Sequence, residues 1–165
     1  MVRYRDLVAD APQHFSPDLF RVFRTREPGS HVLNGAQSEI DLTEELIEEF
    51  IGHDLFVVGA PMYNFGVPTQ LKAWIDRVVQ PGRTFRFTPE GPVGLCQKKS
   101  AIIVSSRGSI YGGTPLEAAL DHQEAHLRAI FGFLGFTSIE IVRAEGLDIT
   151  PEIRHRALEG VSGAI

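Results

Sequence analysis

The sequence has little cysteine, no excess of positive charge and no long hydrophobic run. Cys96 is the one cysteine of the 165 residues, so the chain can form no internal disulfide, which fits a reducing cytoplasm. The 16 Lys and Arg residues against 21 Asp and Glu residues give a formal net charge of −5, which argues against binding to a nucleic-acid backbone. No apolar run approaches the ~20 residues that a membrane helix needs, and the first ten residues lack the apolar core of a signal peptide. These absences predict a soluble, cytoplasmic protein without nucleic-acid or membrane partners.

What is present is an ordinary globular composition, with 43% hydrophobic and 22% charged residues. A chain of this length buries roughly two-thirds of its unfolded surface, so neither a metal ion nor a disulfide is needed for stability. We therefore expect one domain over residues 1–165. Residues 11–35 are rich in proline and glycine and predict an irregular surface segment.

Apolar runs that are typical of buried parallel strands alternate with helical patterns. The runs are residues 55–60, 101–105 and 139–142, and residues 2–8 form a weaker candidate strand. Residues 84–87 alternate and precede a turn, which predicts a hairpin or an excursion. Strands that alternate with helices predict an α/β fold, a three-layer parallel sheet with helices on both faces.

Capping residues mark three of the predicted helix starts. Asp41 and Glu44 have the spacing of a capping box, so we expect a helix to begin there. Thr114 precedes a proline, and its helix is predicted to run unbroken to Leu134. Thr150 also precedes a proline and predicts the start of the last helix.

Two loops that follow predicted strands hold residue types suited to a planar ligand, at the sheet edge where such folds bind ligands. Aromatic and methionine side chains pack on a flat ring, while an amide and backbone N–H groups bond its polar edge. Small residues also let a backbone approach a ligand closely. The alternative interpretation is that the aromatic residues cap the core and that the second loop is a plain turn. The candidate residues are Met62, Tyr63, Asn64 and Phe65 in the first loop and Ser106, Arg107, Gly108 and Ser109 in the second.

The run GAPMYNFGVPTQLKAWIDRV at residues 59–78 resembles the segment that is typical of the FMN-dependent NADH-azoreductase and quinone reductase family. Further matches are GRTFRFTPEGPVGL at residues 82–95, SRG at 106–108, LGF at 134–136 and AEG at 144–146. The resemblance covers essentially the whole chain from Val2. It implies a flavodoxin-like fold, a homodimer, FMN as cofactor and NADH or NADPH as electron donor. The implied reaction is two-electron reduction of quinones and reductive cleavage of aromatic azo compounds.

The resemblance also implies roles for particular residues. All eight candidates of the two loops would contact FMN, with Ser109 standing where the family has a second glycine. Phe85 and Phe87 resemble the part that lines the substrate site, although packing in the core or at an interface is an equal alternative. No acid–base residue and no metal are implied, because the flavin carries the chemistry.

Residues 2–8 match the second strand of the family, so the first strand and the Ser-rich phosphate loop are expected to be missing from the sequence given. Two interpretations are open: the true start lies upstream of Met1, or the chain is a naturally shortened paralogue. The second leaves an alternative function, a flavin-free, non-catalytic paralogue that acts as a dimerising or interaction module. A flavodoxin-type electron carrier is a third alternative, disfavoured by the mild net charge. His122 and His126 stand four apart in HQEAH, as some metal ligands do, but a solvated helix face is the expectation. Cys96 is expected to be a lone structural or surface thiol.

Overall fold

The computed structural model describes residues 2–25 and 37–163. Contacts divide the chain into two compact units. The helical unit comprises residues 1–53 and 69–96, and the sheet unit comprises residues 54–68 and 97–165. One domain over residues 1–165 stays a prediction, and residues 26–36 of the expected irregular segment lie outside the described residues.

The secondary structure alternates between helices and strands along the chain. In order, the elements are α1 (Pro17–Phe20), followed by a π-helical turn (Arg21–Thr25), α2 (Gln37–Gly52), β1 (Leu55–Pro61), α3 (Thr69–Val78), β2 (Phe85–Thr88), β3 (Gly91–Gly94), β4 (Ser100–Ser106), α4 (Pro115–Leu120), α5 (His122–Leu134), β5 (Ser138–Ala144) and α6 (Pro151–Ser162). Within the described residues, no helix is long and apolar enough to cross a membrane.

The sheet unit is built on three parallel strands in the order β1-β4-β5. All three strands that the apolar runs predict are therefore confirmed. Ala101 and Ile103 of β4 are buried, as are Leu127, Phe131 and Leu134 of α5. Because the strands are parallel, the loops after β1 and β4 leave the sheet at the same edge. That edge is where the candidate residues are expected.

The helical unit contains α1, α2, α3 and a hairpin. The ring of Phe50 on α2 meets the ring of Trp74 on α3 edge-on, with centroids 5.7 Å apart. Antiparallel pairing joins β2 to β3, with Phe85 opposite Gly94 and Thr88 opposite Gly91. The hairpin that the alternating residues predict is thus confirmed.

Residues 2–8 are a correction to the predicted strands. This segment forms no strand, and Val2, Tyr4 and Val8 are exposed. A strand needs a neighbour for its backbone groups, and no described strand pairs with this segment. The segment is instead fixed by Arg5, whose guanidinium bonds the carboxylate of Glu49 on α2 at 2.7 Å.

Two helix predictions are also wrong in their bounds. The second helix begins at Gln37, so Asp41 lies inside it and accepts a hydrogen bond from the Gln37 side chain at 2.7 Å instead of capping it. The helix expected to run unbroken from Thr114 to Leu134 is two helices, because Asp121 leaves the helical conformation with φ −82° and ψ 76°. Its carboxylate caps α5 by accepting from the Glu124 N–H at 3.0 Å, so capping outweighs the continuous apolar pattern.

Candidate functional site

The two candidate loops lie side by side at the carboxyl edge of the sheet. The first loop comprises residues 62–66 and the second residues 107–113, because Ser106, which was predicted to lie in the second loop, is the last residue of β4. The Met62 N–H donates to the Ser106 carbonyl at 2.8 Å, which continues the pairing of β1 and β4 into the loops. Further out, the ring of Phe65 meets the ring of Tyr111 edge-on, with centroids 6.4 Å apart. The structure therefore brings together the two loops that the sequence singled out.

The first loop is a tight turn held in an uncommon conformation. Tyr63 and Gly66 exchange two backbone hydrogen bonds of 3.0 Å each, which leaves Asn64 and Phe65 as the central residues. Both have positive φ, 47° for Asn64 and 71° for Phe65, as in a type I′ turn. Asparagine tolerates this region, but a bulky phenylalanine there is an outlier. Such strain clusters at functional sites, and here it accompanies exposed side chains on Tyr63, Asn64 and Phe65.

The second loop is fixed by its carbonyl groups and leaves two amides available. The Gly108 carbonyl accepts from the Asp148 N–H at 3.0 Å, and the Ser109 carbonyl accepts from the Gly146 N–H at 3.1 Å. The N–H groups of Gly108 and Ser109 donate to no described residue. A Cβ on Gly108 would lie 2.5 Å from the Asp148 carboxylate, so close packing accounts for glycine there. The φ of Ser109 is not positive, so serine replaces the family's glycine without backbone strain.

Arg107 differs from the other candidates because it points into the protein. The residue is 2% exposed, and its guanidinium pairs with Asp121 at 2.8 Å, Glu124 at 2.7 Å and Glu145 at 3.4 Å. The same guanidinium bonds Ser105 Oγ and Gln123 Oε1, each at 3.0 Å. Contact between Arg107 and FMN stays a prediction. In the structure, this side chain bonds to partners inside the sheet unit.

The carboxylates around Arg107 form a larger cluster that the sequence analysis missed. Arg143 bonds Glu124 at 2.6 Å, and this hydrogen bond raises the pKa of the Arg143 guanidinium against the opposing effect of its burial. Glu145 accepts from the N–H groups of Tyr111 and Gly112 at 3.0 Å each. A weak signal was available in the sequence, since charged residues interrupt an apolar helix at Glu124 and a strand at Arg143. Their pairing across 19 residues has no local signature.

Phe85 and Phe87 lie on β2 in the helical unit. Phe85 is 4% exposed and Phe87 is 74% exposed, and their rings meet edge-on at 5.3 Å. Contact of these two residues with substrate stays a prediction, and the burial of Phe85 favours packing in the core for that residue. A cavity of about 490 Å³ in this unit is lined by Phe15, Phe20, Arg24, Asp76, Pro81, Phe85 and Phe87. Burial there lowers the pKa of the Arg24 guanidinium.

The remaining candidates contribute no site. Among the residues that the structure describes, no group of three or more His, Cys, Asp and Glu side chains is placed to hold a metal ion. Cys96 is buried, with its Sγ 3.7 Å from the Thr84 carbonyl oxygen, as a structural thiol would be.

Known proteins are similar to this chain in sequence and fold. The profile of a family described as having a flavodoxin-like fold matches residues 1–164. The FMN-dependent NADH:quinone oxidoreductase of Azospirillum brasilense is 48% identical over 161 residues, 95% of this chain and 75% of the relative. A relative of the same name from Ralstonia nicotianae is 47% identical over 165 residues, 99% of this chain and 78% of the relative. The azoreductase structure from Bacillus anthracis str. Sterne is 26% identical, with a TM-score of 0.85, over 97% of this chain and 77% of that one. The predicted flavodoxin-like fold is confirmed.

Proposed function

The chain belongs to the flavodoxin-like family that includes the FMN-dependent NADH:quinone oxidoreductases, and we propose that it binds FMN and passes two electrons from NADH to quinones. One observation carries this proposal. The strained turn at Asn64 and Phe65 stands beside the available amides of Gly108 and Ser109, at the carboxyl edge of a parallel sheet. Open parallel sheets bind their ligands at this edge.

The residues at this edge fit the ring system of FMN, which is flat, apolar on its faces and polar along one side. Met62 and the exposed rings of Tyr63 and Phe65 provide apolar surface for a face. The backbone N–H groups of Gly108 and Ser109 and the exposed amide of Asn64 provide donors for the polar side. When bound, FMN would supply the hydride and electron chemistry.

The task of the protein is then to orient the ring and to stabilise added charge on it. Donors that are fixed before the reaction need no reorganisation as negative charge develops. The Gly108 N–H is fixed in this way, because the Arg107 carbonyl of the same peptide group accepts from the Leu147 N–H at 3.2 Å. The Ser109 N–H is fixed because the Gly108 carbonyl accepts from the Asp148 N–H. The backbone of Asn64, which carries the exposed side-chain amide, is held by the two hydrogen bonds between Tyr63 and Gly66 that close its turn. No described side chain is needed as an acid or base for uptake of a hydride.

The narrower features of the reaction belong to the same proposal. Reductive cleavage of aromatic azo compounds is supported by the similarity to the azoreductase structure from Bacillus anthracis. NADPH is the alternative donor. Assembly as a homodimer and a location in the cytoplasm complete the proposal, the latter supported by a chain that can form no internal disulfide.

The test is to titrate the chain with FMN, follow quenching of flavin fluorescence, and then assay NADH:quinone reduction. We expect saturable binding, and Asn64→Ala should weaken it about tenfold because one hydrogen bond to the ring is lost. Gln37→Ala, an exposed amide of the helical unit, is the matched control and should bind as the parent does. Absence of saturable binding would contradict the proposal and favour the flavin-free, non-catalytic module. Equal binding by Asn64→Ala would remove Asn64 from the site.

A further inference from the structure

We infer that Arg107 is a positioning residue. Through Glu145 it holds the second loop in the conformation that binds FMN at the edge of the sheet. This inference rests on the proposed function for its link to FMN. The link from Arg107 to the loop rests on contacts within the sheet unit alone.

The first step is that the backbone and the two terminal nitrogens of Arg107 are already engaged, while its Nε is buried and has no hydrogen-bond partner among the described residues. Its N–H donates to the Ala144 carbonyl at 2.9 Å, and its carbonyl accepts from the Leu147 N–H at 3.2 Å. Both terminal nitrogens of the guanidinium are engaged by carboxylates and by the buried Ser105 and Gln123. A side chain with this set of partners acts through them.

The second step is that Glu145 carries the effect of Arg107 into the loop. One carboxylate oxygen, Oε1, accepts from Arg107 and also from the N–H groups of Tyr111 and Gly112. The fit is close, since a Cβ on Gly112 would lie 2.8 Å from Glu145 Oε2. The guanidinium of Arg107 also lies 5.6 Å from the centre of the Tyr111 ring, within range of a cation–π contact.

The third step joins this cluster to the first loop. The ring of Tyr111 meets the ring of Phe65, one of the two strained residues of the tight turn. Arg107, Glu145, Tyr111 and Phe65 therefore form a continuous series of contacts from the interior of the sheet unit to the candidate site. Loss of the Glu145 charge should loosen the amides of Tyr111 and Gly112 first and the aromatic contact second.

The cluster also has a net negative charge, which would act electrostatically on a flavin bound beside it. Arg107 and Arg143 are the two cations, and they face the carboxylates of Glu117, Asp121, Glu124 and Glu145. The carboxylates outnumber the guanidinium groups by two. Negative charge beside a cofactor disfavours its reduction, so removal of one carboxylate should raise the reduction potential of bound FMN.

The decisive variant is Glu145→Gln, which keeps the size of the side chain and removes its charge. We measure hydrogen exchange of the Tyr111 and Gly112 amides without FMN and the reduction potential of bound FMN. We expect both amides to exchange about tenfold faster, because a charged acceptor is replaced by a neutral one. We also expect reduced FMN to gain about tenfold in affinity relative to oxidised FMN, a rise of ~30 mV for a two-electron couple.

Glu159→Gln is the matched control, since Glu159 lies on α6 of the same unit and pairs with His155 at the surface. Amide exchange in Glu145→Gln equal to that in Glu159→Gln would overturn the inference. Faster exchange with an unchanged potential would also overturn it, because Glu145 would then support the loop without acting on FMN. A chain that binds no FMN, yet shows faster exchange in Glu145→Gln, would contradict the proposed function and leave the link between Arg107 and the loop standing.

Arg107→Lys provides a second, independent variant. Lysine keeps the positive charge but lacks the planar fork that reaches several carboxylates at once. We expect faster exchange of the Tyr111 and Gly112 amides here too, with a smaller change in potential than in Glu145→Gln because the charge is kept. Amide exchange as slow as in the parent chain would overturn the inference.

Discussion

Two buried arginines, one in each unit, show that the same type of side chain can have different structural roles. Arg77 of the helical unit and Arg107 of the sheet unit both have fully buried side chains. Arg77 donates to the Thr43 hydroxyl at 2.7 Å and to the carbonyls of Gln13 and Glu39 at 2.8 and 3.0 Å, and it also pairs with the Glu39 carboxylate. Most of its acceptors are therefore neutral, and they tie α3 to α2 and to the segment before α1.

Arg107 is satisfied mainly by carboxylates, and these lie around a loop. A buried ion cluster is weak evidence for stability, because removing charges from water offsets much of the attraction between them. Such a cluster does specify position, since each partner has a fixed place around the planar guanidinium. The difference between the two sets of acceptors indicates that Arg77 holds helices together and that Arg107 shapes a site.

The variant Arg107→Met should have the largest effect. It leaves the buried carboxylates of Asp121 and Glu124 without their common partner, so the free energy of unfolding should fall by about 4 kcal/mol. FMN binding by the protein that remains folded should weaken as well. Urea unfolding followed by circular dichroism, with FMN titration in parallel, measures both effects. Loss of stability without any loss of FMN affinity would place Arg107 in the same class as Arg77.

Arg77→Met should have a slightly smaller effect and should separate the two classes. The free energy of unfolding should fall by about 3 kcal/mol, because a partly buried carboxylate and buried acceptors lose their donor. FMN affinity of the folded protein should not change, since Arg77 contacts neither candidate loop. The control is Lys72→Met, which removes an exposed pair with Asp76 on the same helix and should cost at most about 0.5 kcal/mol. Weaker FMN binding by Arg77→Met would contradict the distinction drawn between the roles of Arg77 and Arg107.

Phe65→Gly should change stability in the direction opposite to the two arginine variants. Glycine adopts positive φ without the steric cost that Phe65 bears, so the free energy of unfolding should rise by about 1 kcal/mol. FMN binding should weaken, because the exposed ring that contacts Tyr111 is lost. Thermal unfolding and FMN titration of the same preparation measure the two effects. A variant that loses stability would show that the ring packs as scaffold and that the turn is not strained for function.

The difference between the two arginines also shows what the sequence could predict. The three parallel strands and the two loops were predictable, because apolar runs and the residues after them are local features. The inward direction of Arg107 was not, because its partners Asp121, Glu124 and Glu145 lie 14 to 38 residues away along the chain. The break at Asp121 has the same origin, since its carboxylate both caps α5 and bonds Arg107. Pairs of charges that are distant along the chain produce no periodic pattern in the sequence.

The smallest expected effect concerns a third arginine, Arg5, which bonds Glu49 near the surface of the helical unit. Burial tends to raise the pKa of Glu49, but the hydrogen bond and charge of Arg5 outweigh it, so the pKa lies below its ordinary value. The charged carboxylate therefore stabilises the fold above the ordinary glutamate pKa, and this contribution is lost as pH falls through the lowered pKa. Between pH 7 and about pH 3, the parent should lose up to about 1 kcal/mol more than Glu49→Gln in urea unfolding. Glu90→Gln, an exposed glutamate in the β2–β3 turn, should keep the pH dependence of the parent. If Glu49→Gln keeps it too, the pair of Arg5 and Glu49 contributes nothing to the pH dependence of stability.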